Sequence, residues 1–380
     1  MKLLRLLPIL ILITLVFTGC FSISNAFFKE KGNNKAAIGM KKTFEEKKVF
    51  NLKMVEKLPE NKINKIEYKL SERCKLESNL IAPSYIDKDR IVFYEILQGE
   101  DKIIGFSRKD QTCKTIYKNE GIGNVLGLKG KLYWTEYDTT KLTDVDWKIK
   151  SLDLETNLVI DIASGGSYRD TPPPTLRYGE NTINWIEYSF EGTKLISKVV
   201  EYNYISGQKI SVTKTILDED QTRQGEYYIL QKGVKDKILI YKSIFNKKGK
   251  SFDISLYHQN NKKHLLTKDK VIDFSSNEKY FAYTGEGYLA AFDIANPNTE
   301  ILYSTGDSLT TDSPIFINSN TLIFRYGMND ILITDLKKKT VYSITGFQEI
   351  LSKPLFENGY LAFAKKDNTD QVYFYILEIL

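Results

Sequence analysis

Short apolar runs recur along the chain about every forty residues, and each run has the alternation of a β-strand. The runs are anchored at seven positions, separated by 41, 51, 55, 43, 41 and 39 residues: Ile91, Leu132, Ile183, Ile238, Phe281, Leu322 and Leu361. In six of the seven copies an aromatic residue follows two positions later, as Trp134 does in KLYWTE and Trp185 in TINWIE. Residues two apart on a strand share one face, so a neighbouring copy must cover that face. The pattern predicts that both tryptophans are packing residues.

Three more strand-like runs surround the aromatic run in each copy. In four copies a proline opens the first run, which suits the start of a strand: Pro83, Pro174, Pro314 and Pro354. In three copies the run after the anchor ends at an aspartate that can bond to the backbone of its own turn: Asp153, Asp293 and Asp335. Four strands in a repeat of about forty residues are typical of a β-propeller blade.

The seventh copy stops one strand short, because the chain ends at Leu380 after VYFYILEIL. A strand-like segment without a place in any copy, Asn64 to Glu72, precedes the first one. As the missing outer strand it would close the ring and cover two sheet edges. The sequence therefore predicts an all-β protein, a β-propeller of seven four-stranded blades closed by an N-terminal strand, with six or eight blades as the alternatives.

The N-terminus has the pattern of an export signal. Lys2 and Arg5 precede an apolar run that is too short to span a membrane as a helix. The run ends in Phe17-Thr18-Gly19-Cys20, which resembles the lipobox of bacterial lipoproteins except that Phe17 replaces the usual aliphatic residue. We expect a signal peptide over 1–19, a lipidated Cys20 that holds the chain in the bilayer on the extracytoplasmic side, a flexible tether over 20–63 and the propeller over 64–380. The alternative is secretion after cleavage at Ala26.

The positive charge of the chain lies outside its predicted fold. Residues 21–65 contain 11 Lys and 5 Glu, a net charge of +6, and the signal adds +2, so +6 − 6 − 2 leaves about −2 for residues 66–380. A nucleic-acid-binding protein would carry its basic patch on the fold, so no nucleic-acid partner is expected. The lysine-rich tether suits a segment near anionic lipid headgroups, and equally an ordinary solvated linker.

The sequence contains no motif for a metal, a cofactor or a catalytic nucleophile. Cys74 and Cys113 match no metal spacing, and on opposite ends of outer strands they are predicted to be too far apart for a disulfide. His258 and His264 are interpreted as surface residues. No catalytic residue and no cofactor are predicted. The alternative is an enzyme, a glycoside hydrolase or lyase for envelope or extracellular polysaccharide, whose carboxylates would come from separate blades.

Long loops between blades are predicted to meet on one face of the propeller. They carry aromatic, basic and acidic residues that could contact a partner: Trp147, Tyr168, Arg169, Asp170, Asp220, Arg223, Asp307 and Asp312. Aromatic and arginine anchors with acids around them suit a protein or a cell-envelope glycan. Each residue could equally be part of a solvated turn. We expect a monomeric, non-catalytic scaffold or recognition module.

Two family resemblances support the same fold. Tyr133-Trp134-Thr135-Glu136 is similar to the signature of YWTD propellers, with Glu in place of Asp. The proline-opened strand, Asn or Gly turn and aromatic strand resemble the repeat of TolB-type bacterial propellers. With the lipobox-like segment, the whole chain resembles TolB-like propeller lipoproteins. The resemblance implies the fold and a bias toward protein binding, and it transfers no catalytic residue.

Overall fold

A computed structural model describes residues 48–379, except for 53–54, 79–80, 98, 139–140, 142–143, 221–222, 259–260, 305–308 and 347–349. Cys20, most of the predicted tether and Asp307 lie outside the described residues. Nearly all regular structure in the described part is β-strand. None of its helices is long and apolar enough to cross a membrane.

The first two sheets each contain four antiparallel strands in chain order. Sheet I consists of β3 (Ala82–Ile86), β4 (Arg90–Glu95), β5 (Asp101–Ser107) and β6 (Cys113–Asn119). Sheet II consists of β7 (Leu126–Leu128), β8 (Lys131–Tyr137), β9 (Val145–Asp153) and β10 (Val159–Ser167).

Sheet III is twice as wide, with eight strands, and has two four-stranded halves. Half IIIa consists of β11 (Arg177–Tyr178), β12 (Thr182–Glu191), β13 (Lys194–Asn203) and β14 (Lys209–Asp218). Half IIIb consists of β15 (Gln224–Val234), β16 (Lys237–Asn246), β17 (Gly249–His258) and β18 (Asn261–Leu266). In the described residues, strand pairing between the halves consists of two residue pairs of β14 with β15, Leu217 with Gly225 and Asp218 with Gln224. The prediction of seven blades is met only if each half of sheet III is counted as a separate blade. The number of blades stays a prediction.

The last three sheets follow the same order from inner to outer strand. Sheet IV consists of β19 (Asp273–Ser276), β20 (Tyr280–Gly285), β21 (Tyr288–Asp293) and β22 (Asn296–Ser304). Sheet V consists of β23 (Thr311–Phe316), β24 (Thr321–Tyr326), β25 (Asp330–Asp335) and β26 (Thr340–Ser343). Sheet VI consists of β27 (Ile350–Leu351), β28 (Leu355–Glu357), β29 (Tyr360–Lys366) and β30 (Val372–Ile379).

Apolar clusters lie between each sheet and the next, and one cluster joins sheet VI back to sheet I. Six of the seven residues two positions beyond the anchors are buried in them: Phe93, Trp134, Trp185, Tyr283, Phe324 and Phe363. The seventh, Ile240, is buried in a cluster between the two halves of sheet III. The prediction that the two tryptophans are packing residues is confirmed. The predicted turn role of the aspartates is confirmed as well. Asp153, Asp293 and Asp335 accept backbone N–H bonds from the residues that follow, at 2.8–3.0 Å.

An N-terminal strand completes sheet VI, as predicted. Strand β2 (Ile63–Lys69) runs antiparallel to β30, from Ile63 beside Ile379 to Lys69 beside Tyr373. The chain before β2 also lies against the sheets. Strand β1 (Lys48–Asn51) is a fifth, parallel strand on β22 of sheet IV. Residues 48–52 and 55–62, which the sequence assigns to the tether, thus lie along the outer edges of sheets IV and V and end in a 3₁₀ turn (Glu60–Lys62).

Cys74 and Cys113 form a disulfide with a Cα–Cα distance of 5.1 Å, so the prediction that they are apart is wrong. That prediction assumed that the outer strands of neighbouring sheets run side by side without leaning toward each other. Neighbouring strands rotate by about 20–25°, which accumulates to about 60–75° from inner to outer strand. Outer strands therefore lean along the ring, and the end of one approaches the start of the next. Helix α1 (Leu70–Cys74) follows β2 and covers the remaining distance, while Leu70 packs with Phe106 of sheet I.

Candidate functional site

Two of the predicted contact residues, Trp147 and Tyr168, line one groove of about 600 Å³ at the edge of sheet II. Trp147 lies near the start of β9, and Tyr168 directly follows β10. The other lining residues are polar or small: Asn119, Glu120, Glu136, Tyr137, Asp146, Lys148, Ser164, Gly165 and Gly166. The groove therefore combines aromatic rings with carboxylate, amide and hydroxyl groups.

Two consecutive glycines of β10 make room for the aromatic rings of the groove, one on each face of the strand. Gly165 pairs with Trp147 across the β9–β10 ladder, and a Cβ at Gly165 would lie 2.5 Å from Cζ2 of the indole. A Cβ at Gly166 would lie 2.3 Å from the hydroxyl oxygen of Tyr168. The indole is nearly covered, with 5% exposed, whereas Tyr168 is 51% exposed. Tyr168 is thus the aromatic surface that the groove offers to a ligand.

Glu136 forms the acidic wall of the groove and is held by three neighbours. Its Oε1 accepts hydrogen bonds from Nε1 of Trp134 at 3.0 Å and from the hydroxyl of Tyr117 at 2.6 Å. Its Oε2 lies 3.7 Å from Nζ of Lys150. Burial, reinforced by the bond to Glu136, raises the pKa of the Tyr117 phenol, which stays a donor. The carboxylate is therefore fixed in place.

The same Trp–x–Glu link occurs in half IIIa. There Nε1 of Trp185 donates to Oε1 of Glu187 at 2.9 Å, and Lys198 pairs with the other carboxylate oxygen at 2.7 Å. Sequence reasoning missed this link, although the signal was present: a glutamate follows both tryptophans two positions later. Glu136 is therefore a structural acceptor that also borders the groove.

Arg169 and Arg223 are directed away from the groove, onto the halves of sheet III. The guanidinium of Arg169 lies 4.8 Å from the ring centre of Phe190, and its Nη1 donates to the carbonyl of Gly192 at 2.9 Å. The guanidinium of Arg223 lies 4.4 Å from the ring centre of Phe245. Each arginine precedes the first strand of its half and stacks on the second strand. Both arginines therefore hold the connections in which they lie, β10–β11 and β14–β15, against sheet III.

The acidic members of the predicted set are dispersed. Asp170 and Asp220 are exposed in the connections before β11 and β15. Asp312 is buried, because β23 begins at Thr311 and not at Pro314 as the sequence indicated. Both carboxylate oxygens of Asp312 accept hydrogen bonds from Arg325, at 2.9 and 2.6 Å, and Arg325 also donates to the carbonyl of Leu351. Asp312 therefore holds sheet V together and does not line the exposed face.

A charged cluster at the inner strands was not found from the sequence. Nη1 of Arg177 in β11 lies 3.9 Å from Oδ1 of Asp273 in β19. Burial opposes ionisation of Asp273, but the positive charges of Arg177, Lys232 and Lys353 outweigh it and lower the pKa of the carboxyl. These residues are separated by 41 to 176 positions, so no local motif could reveal them.

The carboxyl of Glu357 in β28 has a raised pKa, whereas that of Asp273 is lowered. Burial raises the pKa of its carboxyl to about 8, although the backbone N–H of Ile86 donates to it at 3.3 Å. Burial therefore favours the protonated form of the Glu357 carboxyl. Among the described residues, no group of three or more His, Cys, Asp and Glu is arranged to hold a metal ion.

Comparisons with known proteins show the fold alone. No family model matches the chain, and no curated protein is similar to it in sequence. The β-propeller domain of the Trilobed protease from Pyrococcus furiosus, described as having an open velcro topology, is similar with a TM-score of 0.53 and 12% identity over 77% of this chain and 91% of that one. A prolyl endopeptidase is similar with a TM-score of 0.50 and 10% identity, covering 74% of this chain and 45% of that one.

The chain thus spans less than half the length of that endopeptidase. A third structure, from the nidogen/laminin complex, has a TM-score of only 0.37 at 11% identity, covers 69% of this chain and 95% of that one, and carries no argument. The sheets and the first two similarities together identify the fold as a β-propeller.

Proposed function

We propose that the protein is a lipid-anchored, extracytoplasmic recognition module that binds a cell-envelope glycan in the groove beside Trp147 and Tyr168. The observation that carries the proposal is the combination of an exposed Tyr168 ring, which packs over Gly166, and polar groups that line the groove beside it. The propeller and the lipobox-like segment ending at Cys20 also support membership of the TolB-like propeller lipoproteins.

A glycan suits this groove better than a flat protein surface. The volume of about 600 Å³ lies within the range of sites for small ligands, about 300–1,000 Å³. A sugar ring has an apolar face that can pack on Tyr168, and its hydroxyls can bond to Asn119, Glu120 and Asp146. Gly165 and Gly166 leave the space that the indole of Trp147 and the ring of Tyr168 occupy, and so fix the position of the rings beside the groove.

The groove is tested by titrating soluble fragments of envelope polysaccharide into the protein in a calorimeter. Tyr168→Ala should weaken binding by about 1–3 kcal/mol, since it removes the exposed ring. Gly166→Ala should weaken binding too, because the new methyl group displaces Tyr168. The matched control is Ile205→Ala, which removes an exposed apolar side chain on the β13–β14 connection. Equal affinity in Tyr168→Ala and the parent, or binding only to a protein partner, would reject the glycan site.

The anchor is tested separately in cells. A clickable palmitate analogue should label the parent, whereas Cys20→Ala should remain unlabelled and leave the membrane fraction. Lipidation at Cys20 accounts for both effects, since a chain without the anchor has no acyl group to hold it. Cys74→Ser/Cys113→Ser controls for loss of cysteine as such. Equal labelling of Cys20→Ala and the parent would contradict the anchor.

A further inference from the structure

The charges around the groove of sheet II are unbalanced. Four charged side chains line the groove: Glu120, Glu136, Asp146 and Lys148. Two more charged side chains, Lys150 of β9 and Asp161 of β10, lie directly beside them. The two positive and four negative charges of this set leave a net charge of −2. A groove with this charge favours a positively charged ligand.

Both ammonium groups of this set are already engaged. Nζ of Lys150 lies 2.7 Å from Oδ1 of Asp161 and 3.7 Å from Oε2 of Glu136. Nζ of Lys148 lies 3.6 Å from Oδ2 of the same aspartate. These four side chains, two of each sign, therefore neutralise one another.

The remaining negative charge belongs to Glu120 and Asp146. Both are exposed, and within the part of the chain that the structure describes neither takes part in an ion pair or a side-chain hydrogen bond. Glu120 directly follows β6 of sheet I, whereas Asp146 lies near the start of β9. Cations close by in the sequence are directed elsewhere, since Lys118 pairs with Glu100 at 3.1 Å and Arg169 stacks on half IIIa. The two carboxylates thus face the groove without a counterion of their own.

Asp146 also lies beside the exposed aromatic ring. It pairs directly with Gly166 across the β9–β10 ladder, and the hydroxyl end of Tyr168 occupies the place of the side chain that Gly166 lacks. Cβ atoms of directly opposed residues are about 4.5–5.5 Å apart. The carboxylate of Asp146 is therefore within reach of a group packed on Tyr168, and the face of the ring itself attracts a cation.

We infer that the groove selects a glycan whose sugars carry an unsubstituted, protonated amino group. This inference rests on the proposed glycan function and names the class of ligand within it. The apolar face of an amino sugar packs on Tyr168, while its ammonium group donates to Asp146 and Glu120. N-acetylation removes the positive charge and leaves both carboxylates without a partner, so the acetylated form of the same glycan binds more weakly.

The test compares two ligands that differ only in this group, a glucosamine trisaccharide and its fully N-acetylated counterpart. Each is titrated into the whole mature protein in a calorimeter, in a buffer that keeps the amine protonated. The glucosamine trisaccharide should bind about five- to tenfold more tightly at low salt, and this preference should shrink in about 0.5 M NaCl.

Two sets of variants separate the charge from the aromatic ring. Asp146→Asn/Glu120→Gln should abolish the preference by weakening only the glucosamine trisaccharide. Tyr168→Ala should weaken both trisaccharides, because packing on the ring does not require the charge. The matched control, Asp89→Asn/Glu155→Gln, removes one exposed Asp and one exposed Glu from turns at the other ends of sheets I and II and should keep the preference.

Equal affinity of the parent for the two trisaccharides would overturn this inference and leave the glycan site standing. A preference that survives in Asp146→Asn/Glu120→Gln would overturn the role of the carboxylates. Equally tight binding of a lysine tripeptide would show that the groove takes any cation and would overturn the choice of an amino sugar. If neither trisaccharide bound, the inference would fail, and the titration with envelope polysaccharide would decide the glycan site on its own.

Discussion

The boundary between sheets VI and I differs sharply from the boundary between the two halves of sheet III. The first is filled by one apolar cluster with 13 buried residues, among them Phe93 and Phe374. The second has two small clusters, of five and three buried residues. At the first boundary no strand pairing crosses between the described strands of the two sheets, and a disulfide does. At the second, paired backbone crosses from β14 to β15.

Charged side chains occupy the outer part of the sheet III boundary. Lys242 is buried and pairs with Glu226, and burial lowers the pKa of its ammonium group. Asp253 accepts bonds from Ser255 at 2.8 Å and from His264 at 2.5 Å, with Lys262 at 3.3 Å. Of these two boundaries, the one that strand pairing crosses contains charged side chains, whereas the one without strand pairing is filled by a larger apolar cluster and is joined by a covalent link.

Removing the closing strand should have the largest effect. Deletion of Ile63–Lys69 leaves β30 and the apolar cluster beside it uncovered, so the protein should aggregate and become sensitive to protease. Size-exclusion chromatography and limited proteolysis measure both effects. The control is a deletion of residues 21–47, which should leave a monomer. A monomeric, protease-resistant deletion of the closing strand would show that β2 is not required for closure.

Removing the disulfide should have a smaller but still large effect. Cys74→Ser/Cys113→Ser should lower the free energy of unfolding by about 2–5 kcal/mol, because the bond no longer restricts the unfolded chain. Urea denaturation of the oxidised parent, the reduced parent and the variant measures this. The reduced parent should match the variant. Equal urea midpoints for all three would mean that the apolar cluster alone holds the boundary.

The smallest effect is expected at the sheet III boundary, and it should depend on pH. Burial opposes ionisation of Asp253, but Ser255, His264 and Lys262 outweigh it, so the pKa of its carboxyl lies below the ordinary 3.8. A carboxyl whose pKa is lowered by folding stabilises the folded protein above pH 3.8. This stabilisation is lost as the pH falls through the pKa of the carboxyl in the folded protein.

Asp253→Asn should therefore lower the free energy of unfolding by about 1.5–3 kcal/mol at pH 7. The difference in stability between this variant and the parent should shrink below pH 3.8. Thermal unfolding across this pH range provides the measurement. Asp236→Asn, which removes an exposed partner of His258, should change stability little at any pH. If the difference in stability between Asp253→Asn and the parent were the same at every pH, the lowered pKa of the Asp253 carboxyl would be contradicted.

The regular parts of the fold could be predicted because they repeat. The aromatic positions and the turn aspartates follow from patterns that recur in several copies, and the closing strand follows from the seventh copy, which stops one strand short of that pattern. The disulfide could not be placed, since its geometry depends on sheet twist accumulated over several strands. Strand β1 was missed because four residues in parallel pairing leave little periodic signal.

The candidate site was predictable only in part, for a similar reason. Trp147 and Tyr168 come from neighbouring strands of one hairpin, so their shared position could be anticipated. Asp312 could not be distinguished from a loop acid, because its partner Arg325 lies on the next strand. The cluster around Asp273 draws on four separate parts of the chain.

The path of the N-terminal segment also determines how a mechanical load would enter the propeller. Strand β1 pairs in parallel with β22 from Lys48 to Asn51, so a pull along the chain loads its bonds together in shear. The segment is next fastened at Ser343 of sheet V, and then along the length of β30. Tension on the N-terminus is therefore shared among three sheets in turn, and the strand that closes the ring is the last to bear it.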